Sequence, residues 1–299
     1  MDHSGIEEFL GALHSERGLS ANTVAAYRRD LGQYMAFAAT DGMGPDAVSR
    51  FLASLRETGR RPATIARKLS AIRGYHRFLV AEGLAVDDPT SLIDSPQRRR
   101  ALPKALTVDE AIRLVESPDR STDLGVRDAA LLEFLYASGA RVSEAVTIDT
   151  IDVDFETATA VVTGKGDKQR IVPLGRHALR AIDEYLPVRM SLVGGRRDPG
   201  RLFLNARGRP LTRQGVWLLV RKHAQRAGIA EEHVSPHVLR HSAATHMVEG
   251  GADLRTVQEM LGHASLSTTQ VYTRVSPQHL LEVFTTSHPR ERPGQVRMR

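Results

Sequence analysis

Apolar residues recur at steps of three and four through most of this 299-residue chain, and this spacing constrains its fold more than any other feature. In LSANTVAAYRRDLGQYMAFAA the apolar positions are Val24, Tyr27, Leu31, Tyr34 and Phe37. In RPATIARKLSAIRGYHRFLVAEG, whose helix starts at Pro62 and ends before Gly83, the inward-facing positions are Ile65, Leu69, Ile72, His76 and Leu79. The region before residue 95 is therefore predicted to be helical throughout.

The spacing changes to that of strands in one stretch of the second half, TATAVVTGKGDKQRIVPL. Two extended runs flank a glycine-rich turn there, which predicts a β-hairpin. On either side the pattern is helical: Thr107 and Glu110 form a capping box, VRDAALLEFLYASG ends at Gly139, and helical spacing returns from about Arg213. The predicted fold class is mainly α, with a small antiparallel β-sheet in the second domain.

Residues 95–106, SPQRRRALPKAL, separate these two patterns. The stretch carries two prolines and four basic residues without a helical period, which is typical of an interdomain linker. A chain of this length has room for two domains, each with its own core. We therefore expect an N-terminal helical domain at 1–94, a linker at 95–106 and a C-terminal domain at 107–299.

The composition excludes several classes of protein. Cysteine is absent, which rules out disulfides, thiolate zinc sites and cysteine nucleophiles. No run of eighteen apolar residues occurs, and the N-terminus lacks the pattern of a signal peptide. We therefore expect a cytoplasmic protein without a membrane span.

The charge balance favours a polyanionic partner. The formal net charge is +6 and the sequence pI is about 9.9. Between Arg50 and Arg77 the chain has eight basic residues and a single acid, Glu57. This run could be an ordinary solvated face, but Ser70 and Gly74 lie among the arginines, and small residues would let a phosphate backbone approach. The candidate DNA contacts are Arg60, Arg61, Arg67, Lys68, Arg73 and Arg77.

The stretch SPHVLRHSAATH has the pattern of a phosphate site at a helix start. Ser235 is a good N-cap and Pro236 a good first residue, which places His237 in the first turn and Arg240 on the same face. Free N–H groups, the helix dipole and a guanidinium all favour an anion at such a position. A capped helix whose histidines are satisfied locally is the simpler alternative for this motif alone.

Two further cations lie at breaks in the pattern. Arg141, in YASGARVSEA, follows the end of one helix and precedes the start of the next, where it could bind phosphate or hold backbone carbonyls together. Lys165 lies between Gly164 and Gly166 in the hairpin turn, where its ammonium could reach a DNA groove. Lys168 in the same turn is a direct competitor for that role.

A tyrosine near the end of the chain could use these cations. Tyr272 lies in the polar stretch GHASLSTTQVYTRVS, shortly after His263. A free phenol has a pKa near 10, so it acts as a nucleophile only beside cations and a proton acceptor. Arginines, a lysine and histidines from separate segments would supply both.

Taken together and in this order, these residues resemble the catalytic signature of the tyrosine recombinases, the phage integrase family. The six residues are Arg141, Lys165, His237, Arg240, His263 and Tyr272. The resemblance covers nearly the whole chain, through ERGLSANTVAAYRRDL, ASGARVSEA, GKGDKQRIVPL and SPHVLRHSAATHMVEGGADLRTVQEMLGHASLSTTQVYTRVS. It is strongest to the Xer-type recombinases, and the N-terminal run and the ending HPRER favour the XerD subgroup over XerC.

The resemblance implies a function and a role for each residue. Two domains would clamp DNA, and Tyr272 would attack a phosphodiester to give a 3′-phosphotyrosyl link. Arg141 and Arg240 would stabilise the transition state, and Lys165 would protonate the leaving 5′-oxygen. Of the two histidines, His237 would assist proton transfer at the tyrosine and His263 would donate a hydrogen bond to the phosphate.

The same resemblance implies the partners. They are a double-stranded DNA recombination site, a paralogous Xer recombinase in a cyclic heterotetramer, and the cell-division DNA translocase FtsK, as part of resolving chromosome dimers. No metal, ATP or other cofactor is expected, because the covalent link conserves the bond energy. The alternatives are an integrase or transposon recombinase, a DNA-relaxing enzyme similar to type IB topoisomerases, and a catalytically silent DNA-binding protein.

A metal-dependent nuclease is an alternative from another class. In IDVDFE, the carboxylates of Asp152, Asp154 and Glu156 would share one face of a strand. A solvated strand edge explains the same residues. His237 and His241, four residues apart, could also suggest zinc, but the glutamate of the corresponding zinc motif is missing.

The last predicted helix starts at Ser276 and Pro277. Its apolar residues are Leu280, Leu281, Val283 and Phe284, a stripe too broad to leave in water. Periodicity alone favours folding back onto the same domain. The family resemblance instead supports the hypothesis that this helix docks on a neighbouring subunit.

Overall fold

A computed structural model describes residues 3–15, 21–41, 45–91, 93, 105–164, 166–262 and 276–291. The chain divides into two compact units, Met1–Arg100 and Ala101–Arg299. The division falls inside the predicted linker. None of the helices in the described ranges is long and apolar enough to cross a membrane.

The first unit is built from helices, as its spacing predicts. They are α1 (His3–Ser15), α2 (Ala21–Asp41), α3 (Pro45–Glu57) and α4 (Pro62–Ala81). The whole predicted inward stripe of α4 is buried, and so are Leu31 and Tyr34 of α2. His76 contacts the Tyr34 hydroxyl at 3.1 Å, and burial lowers the pKa of this histidine, so it is a neutral core residue at neutral pH.

The second unit combines helices with one small sheet. Its helices are α5 (Val108–Glu116), α6 (Asp123–Ser138), α7 (Val142–Ala145), α8 (Gly175–Val193), α9 (Arg213–Arg226), α10 (Pro236–Glu249), α11 (Leu254–Leu261) and α12 (Pro277–Ser287). The strands are β1 (Val153–Asp154), β2 (Thr159–Thr163) and β3 (Gln169–Pro173). The capping box of Thr107 and Glu110 is present, and α6 ends at Gly139 in a left-handed conformation, φ 55°.

The predicted hairpin is β2 and β3, paired antiparallel with Val161 opposite Ile171. A short strand, β1, extends it to the order β1-β2-β3. The sheet brings Gly164 and residues 166–168 to one end, and Nε of Arg170 in β3 donates to the Met260 carbonyl at the end of α11. The mainly helical fold with a small antiparallel sheet is confirmed.

Helix α8 was missed by the prediction, which has helices returning only from about Arg213. The helix starts at Gly175 without a side-chain cap and contains Pro187, two features that argue against a helix when only neighbouring residues are considered. Packing on α6 overrides them: Ile182 and Tyr185 are fully buried.

Helix α12 lies on its own domain. Leu280 and Phe284 are buried, and the buried ring of His288 stacks on Phe284. Beyond the helix, Arg290, whose side chain is 10% exposed, pairs with the buried Glu133 of α6. Burial lowers the pKa of His288 to about 3, so this ring is neutral at neutral pH. The helix folds back on its own domain, as its periodicity favours, with Leu280 and Phe284 in the core. Docking on a neighbouring subunit stays a prediction.

Candidate active site

Arg141 lies at the break between α6 and α7, as the sequence predicts. Its backbone N–H donates to Glu144 Oε2 at 2.7 Å, and its Nη1 donates to Glu144 Oε1 at 2.9 Å. Its Nη2 donates to the carbonyl of Gly262 at 3.1 Å. The side chain keeps 38% exposure, so the guanidinium is oriented by the protein and still open to solvent.

Arg240 of α10 lies beside it and is buried. Its Nη1 donates to the carbonyl of Gly139 at 2.5 Å and its Nη2 to that of Leu261 at 2.6 Å. Burial lowers the pKa of Arg240 to about 10, with further contributions from the charges of Arg141 and Arg170. The guanidinium therefore stays charged at neutral pH, in surroundings where an anion would be strongly favoured.

His237 occupies the first turn of α10. The Ser235 hydroxyl accepts the N–H of Val238 at 3.2 Å, and Pro236 is the first helical residue, which confirms the predicted cap. His237 is exposed, one turn before Arg240. Both line a groove of about 530 Å³ between α10 and α11, so the imidazole is accessible beside Arg240.

Lys165, His263 and Tyr272 lie outside the described residues. Their described neighbours reach the arginines: a Cβ atom placed on Gly164 would lie 3.3 Å from Glu144 Oε1 and 3.9 Å from Arg141 Nη1. The carbonyl that Arg141 holds belongs to Gly262, the residue before His263. Lys168, the competitor of Lys165, is exposed.

Sequence reasoning missed two residues of this cluster, Glu144 and Arg170. Glu144 is fully buried and accepts both forks of Arg170, at 2.7 and 2.8 Å. Burial alone would raise the pKa of Glu144, but hydrogen bonds from Arg170 and Arg141 outweigh it and hold the pKa below its usual value. The signal available in the sequence was a glutamate three residues after Arg141, at a helix start.

The basic run of the first unit does not form one continuous face. Lys68 is buried, and its Nζ donates to Asp30 Oδ1 at 2.9 Å. Its predicted role as a surface DNA contact is therefore corrected: it neutralises a buried carboxylate. Arg67 is half-buried and pairs with the same aspartate.

Gly74 of α4 does not have the role predicted for it, which was to let a phosphate backbone approach. A Cβ atom on Gly74 would lie 3.0 Å from the ring of Phe9 in α1, so this glycine serves helix packing and does not leave room for phosphate. Arg73 is half-buried and donates to the carbonyl of Ile93 at 2.5 Å. Of the candidate contacts, the exposed ones are Arg60, Arg61 and Arg77.

The carboxylates proposed for a nuclease do not share a strand face. Asp152 ends a 3₁₀ turn, Asp154 is the last residue of β1, and Glu156 lies in the following turn. The Asp154 carboxylate accepts the backbone N–H groups of Glu156 and Thr157. Within the described ranges, no group of three or more histidine or acidic side chains is arranged to hold a metal ion.

Comparison with known proteins gives two family matches and close relatives. The phage integrase family model matches residues 104–279, and that of the phage integrase N-terminal SAM-like domain matches residues 6–83. Tyrosine recombinase XerD of Mycobacterium tuberculosis is 46% identical, covering 96% of this chain and 98% of that protein. XerD of Staphylococcus haemolyticus is 44% identical, covering 95% and 98%.

A solved structure confirms the fold. The XerH site-specific recombinase, in a crystal structure with a palindromic difH substrate, matches with a TM-score of 0.68 at 23% identity, covering 97% of this chain and 87% of that one. Two matched domains and relatives that span the whole chain confirm the resemblance carried by the sequence motifs. The chain belongs to the phage integrase family, as an Xer-type, XerD-like tyrosine recombinase.

Proposed function

We propose that this recombinase cuts and rejoins DNA with Tyr272 as its nucleophile. The phenolic oxygen attacks the scissile phosphorus, the bond to the 5′-oxygen breaks, and a 3′-phosphotyrosyl link forms. Lys165 gives the leaving 5′-oxygen its proton, and His237 assists proton transfer at the tyrosine. Attack by the free 5′-hydroxyl of another strand reverses these steps, and because the covalent link conserves the bond energy, no ATP is needed.

Arg141 and Arg240 stabilise the charge that develops on the phosphate, and His263 donates a hydrogen bond to it. Preorganised cations aimed at developing charge are usually the largest single contribution to catalysis. The guanidinium charges stabilise the phosphate here, as metal ions do in other phosphoryl-transfer enzymes. The exposed His237 and the buried Arg240, one helical turn apart, suit a proton carrier and an anion clamp.

The observation that carries this proposal is the convergence of two guanidiniums from different elements. Arg141 and Arg240 donate to the carbonyls of consecutive residues, Gly262 and Leu261, immediately before the segment that contains His263 and Tyr272. Each guanidinium has five N–H donors, and in each of the two side chains hydrogen bonds within the described ranges use two of these donors. We assign the others to phosphate oxygens.

We extend the proposal to the substrate and the partners by analogy with the relatives. We propose that domains 1–94 and 107–299, joined by residues 95–106, both contact a double-stranded recombination site. We also propose that the protein forms a cyclic heterotetramer with a paralogous Xer recombinase. In this assembly it is regulated by the translocase FtsK and resolves chromosome dimers in the cytoplasm. The XerD names of whole-length relatives support the recombinase activity, and the DNA-bound XerH structure supports a DNA recombination site as the substrate.

The test uses nicked duplexes that trap the covalent intermediate. A site is first selected from a random-sequence library by covalent capture with the unaltered protein, and its cleavage is then compared with and without EDTA. Tyr272→Phe should bind the selected DNA with unchanged affinity and form no adduct, because the ring is kept and only the nucleophilic oxygen is lost. An adduct with this variant, or cleavage that EDTA abolishes, would refute the proposal.

A further inference from the structure

The last carbonyls of α11 are held by three arginines. A helix leaves its final carbonyls without partners inside the helix, and its C-terminal end attracts cations. Here Met260, Leu261 and Gly262 accept in turn from Arg170 Nε at 2.8 Å, Arg240 Nη2 at 2.6 Å and Arg141 Nη2 at 3.1 Å. These arginines come from β3, α10 and the break before α7, so the end of α11 ties three elements together.

Arg170 differs from the other two in how its donors are used. Its Nε binds the Met260 carbonyl, and its two Nη groups bind the two oxygens of Glu144. Its side chain is 15% exposed, against 38% for Arg141. Arg170 is thus directed into the protein, while Arg141 keeps access to solvent.

Arg170 supports both candidate phosphate-binding arginines through the groups that it holds. Glu144 Oε1 accepts from Arg170 and from Arg141 Nη1, and Oε2 accepts from Arg170 and from the backbone N–H of Arg141. Arg170 also binds the carbonyl of Met260, the residue directly before Leu261, whose carbonyl Arg240 binds. Without this guanidinium, Glu144 would lose two of its four hydrogen bonds, and its carboxylate could rotate and carry Arg141 with it.

Close packing leaves this end of α11 little freedom. Gly262 has a left-handed conformation, φ 67°, and a Cβ atom there would lie 3.0 Å from Cδ of Arg170. Arg170 therefore lies against the backbone of Gly262 as well as binding Met260. The same side chain fixes a carboxylate and a turn of backbone by direct contact.

We propose that Arg170 is a positioning residue, which holds Arg141 through Glu144 and Arg240 through the end of α11 in the arrangement that receives the scissile phosphate. The inference rests on the proposed function, because it assumes that Arg141 and Arg240 bind that phosphate. Arg170 itself does not touch the DNA.

The test separates DNA binding from the chemical step. Arg170→Gln should leave the dissociation constant for a nicked duplex, selected by covalent capture with the unaltered protein, unchanged. At saturating DNA, single-turnover formation of the covalent adduct should fall roughly 10- to 100-fold, as expected when reacting groups are misplaced by about 1 Å. Arg170→Lys should be slow as well, since an ammonium cannot bind a carboxylate in a fork and a carbonyl together.

Arg189 of α8 provides a matched control. Its Nε also donates to a carbonyl, that of Arg201, and its Nη groups also fork onto a carboxylate, Asp198. Arg189→Gln and Arg170→Gln should both lower the melting temperature, but folded Arg189→Gln should keep the unaltered rate of adduct formation. All rates are measured at a temperature where both variants are folded.

Three outcomes would overturn the inference: an unchanged rate in Arg170→Gln, an equal loss in Arg189→Gln, or a normal rate in Arg170→Lys. Failure of the underlying function gives a different result. If Arg141→Ala and Arg240→Ala both form the adduct at the normal rate, the phosphate site is wrongly assigned, whatever Arg170 does.

Discussion

At the scale of single residues, the site depends on one glycine as much as on its charges. Gly139 has φ 55°, and a Cβ atom there would lie 2.7 Å from Leu261 Cδ2. Its carbonyl is the one that Arg240 Nη1 binds. Because any side chain would push α6 and α11 apart, only glycine lets this carbonyl and that of Leu261 bind one guanidinium. Gly139 therefore both terminates α6 and positions Arg240.

The general acid can be identified at this scale. Lys165→Ala should slow cleavage by roughly 10²- to 10⁴-fold, as loss of a proton donor does, while Lys168→Ala should have little effect. A substrate with sulfur in place of the bridging 5′-oxygen should restore cleavage by Lys165→Ala, because a thiolate leaves without protonation. Cleavage rates of both variants on both substrates decide the matter; rescue of Lys168→Ala alone would exchange the two assignments.

At the scale of elements, α12 completes the core of the second unit. Phe284 and His288 bury their rings, and the latter contacts the carbonyl of Tyr136 in α6 at 3.3 Å. Past the helix, the backbone N–H of Arg176 in α8 donates to the Glu291 carboxylate at 2.8 Å. Apolar burial and ion pairs thus connect the C-terminal segment to the helices that carry the site.

Removing this segment should therefore destabilise the domain. Phe284→Ala should cost about 3–5 kcal/mol of unfolding free energy, and truncation after Ser276 should cost more, since it also leaves Glu133 buried without Arg290. Denaturant unfolding of both variants measures the loss. Glu282→Ala, on the exposed side of α12, is the control and should be close to neutral. A truncated protein with unaltered stability would show that the helix does not hold its own domain together.

At the scale of the whole molecule, the charge balance matters through the basic residues that reach the surface. The chain has 41 lysines and arginines against 35 acidic residues, and the structure divides the basic residues of α4 and its flank into two groups. Lys68 neutralises Asp30 inside the first unit. Arg60 and Arg61 are exposed before α4 and are available to a polyanion.

The salt dependence of DNA binding should distinguish these two groups. The double variant Arg60→Gln, Arg61→Gln should weaken binding and reduce the slope of log affinity against log salt by as much as about 2, close to one unit per lost phosphate contact. Lys68→Gln should lower the melting temperature and leave the slope unchanged. Gel-shift titrations at several salt concentrations measure both. A folded Lys68 variant with a reduced slope would contradict the assignment of this lysine to the core.

Features that depend on a few neighbouring residues were determined by the sequence itself. The capping box at Thr107, the turn at Gly139, the start of α10 at Ser235 and the hairpin of β2 and β3 all follow from local backbone chemistry. The ordered set of six residues identified the family for the same reason, since each lies in a recognisable short motif. The tertiary structure alone decided what each side chain meets.

Exposure and contact depend on residues far away in the chain, and no local pattern contains them. Lys68 and Gly74 belong to the core because Asp30 and Phe9 lie against them. Helix α8 forms despite Pro187 because α6 covers its apolar face. Arg170 reaches Glu144 and Met260 across 26 and 90 residues, and only folding brings these groups together, so the arrangement of the arginines became visible in the structure and not in the sequence.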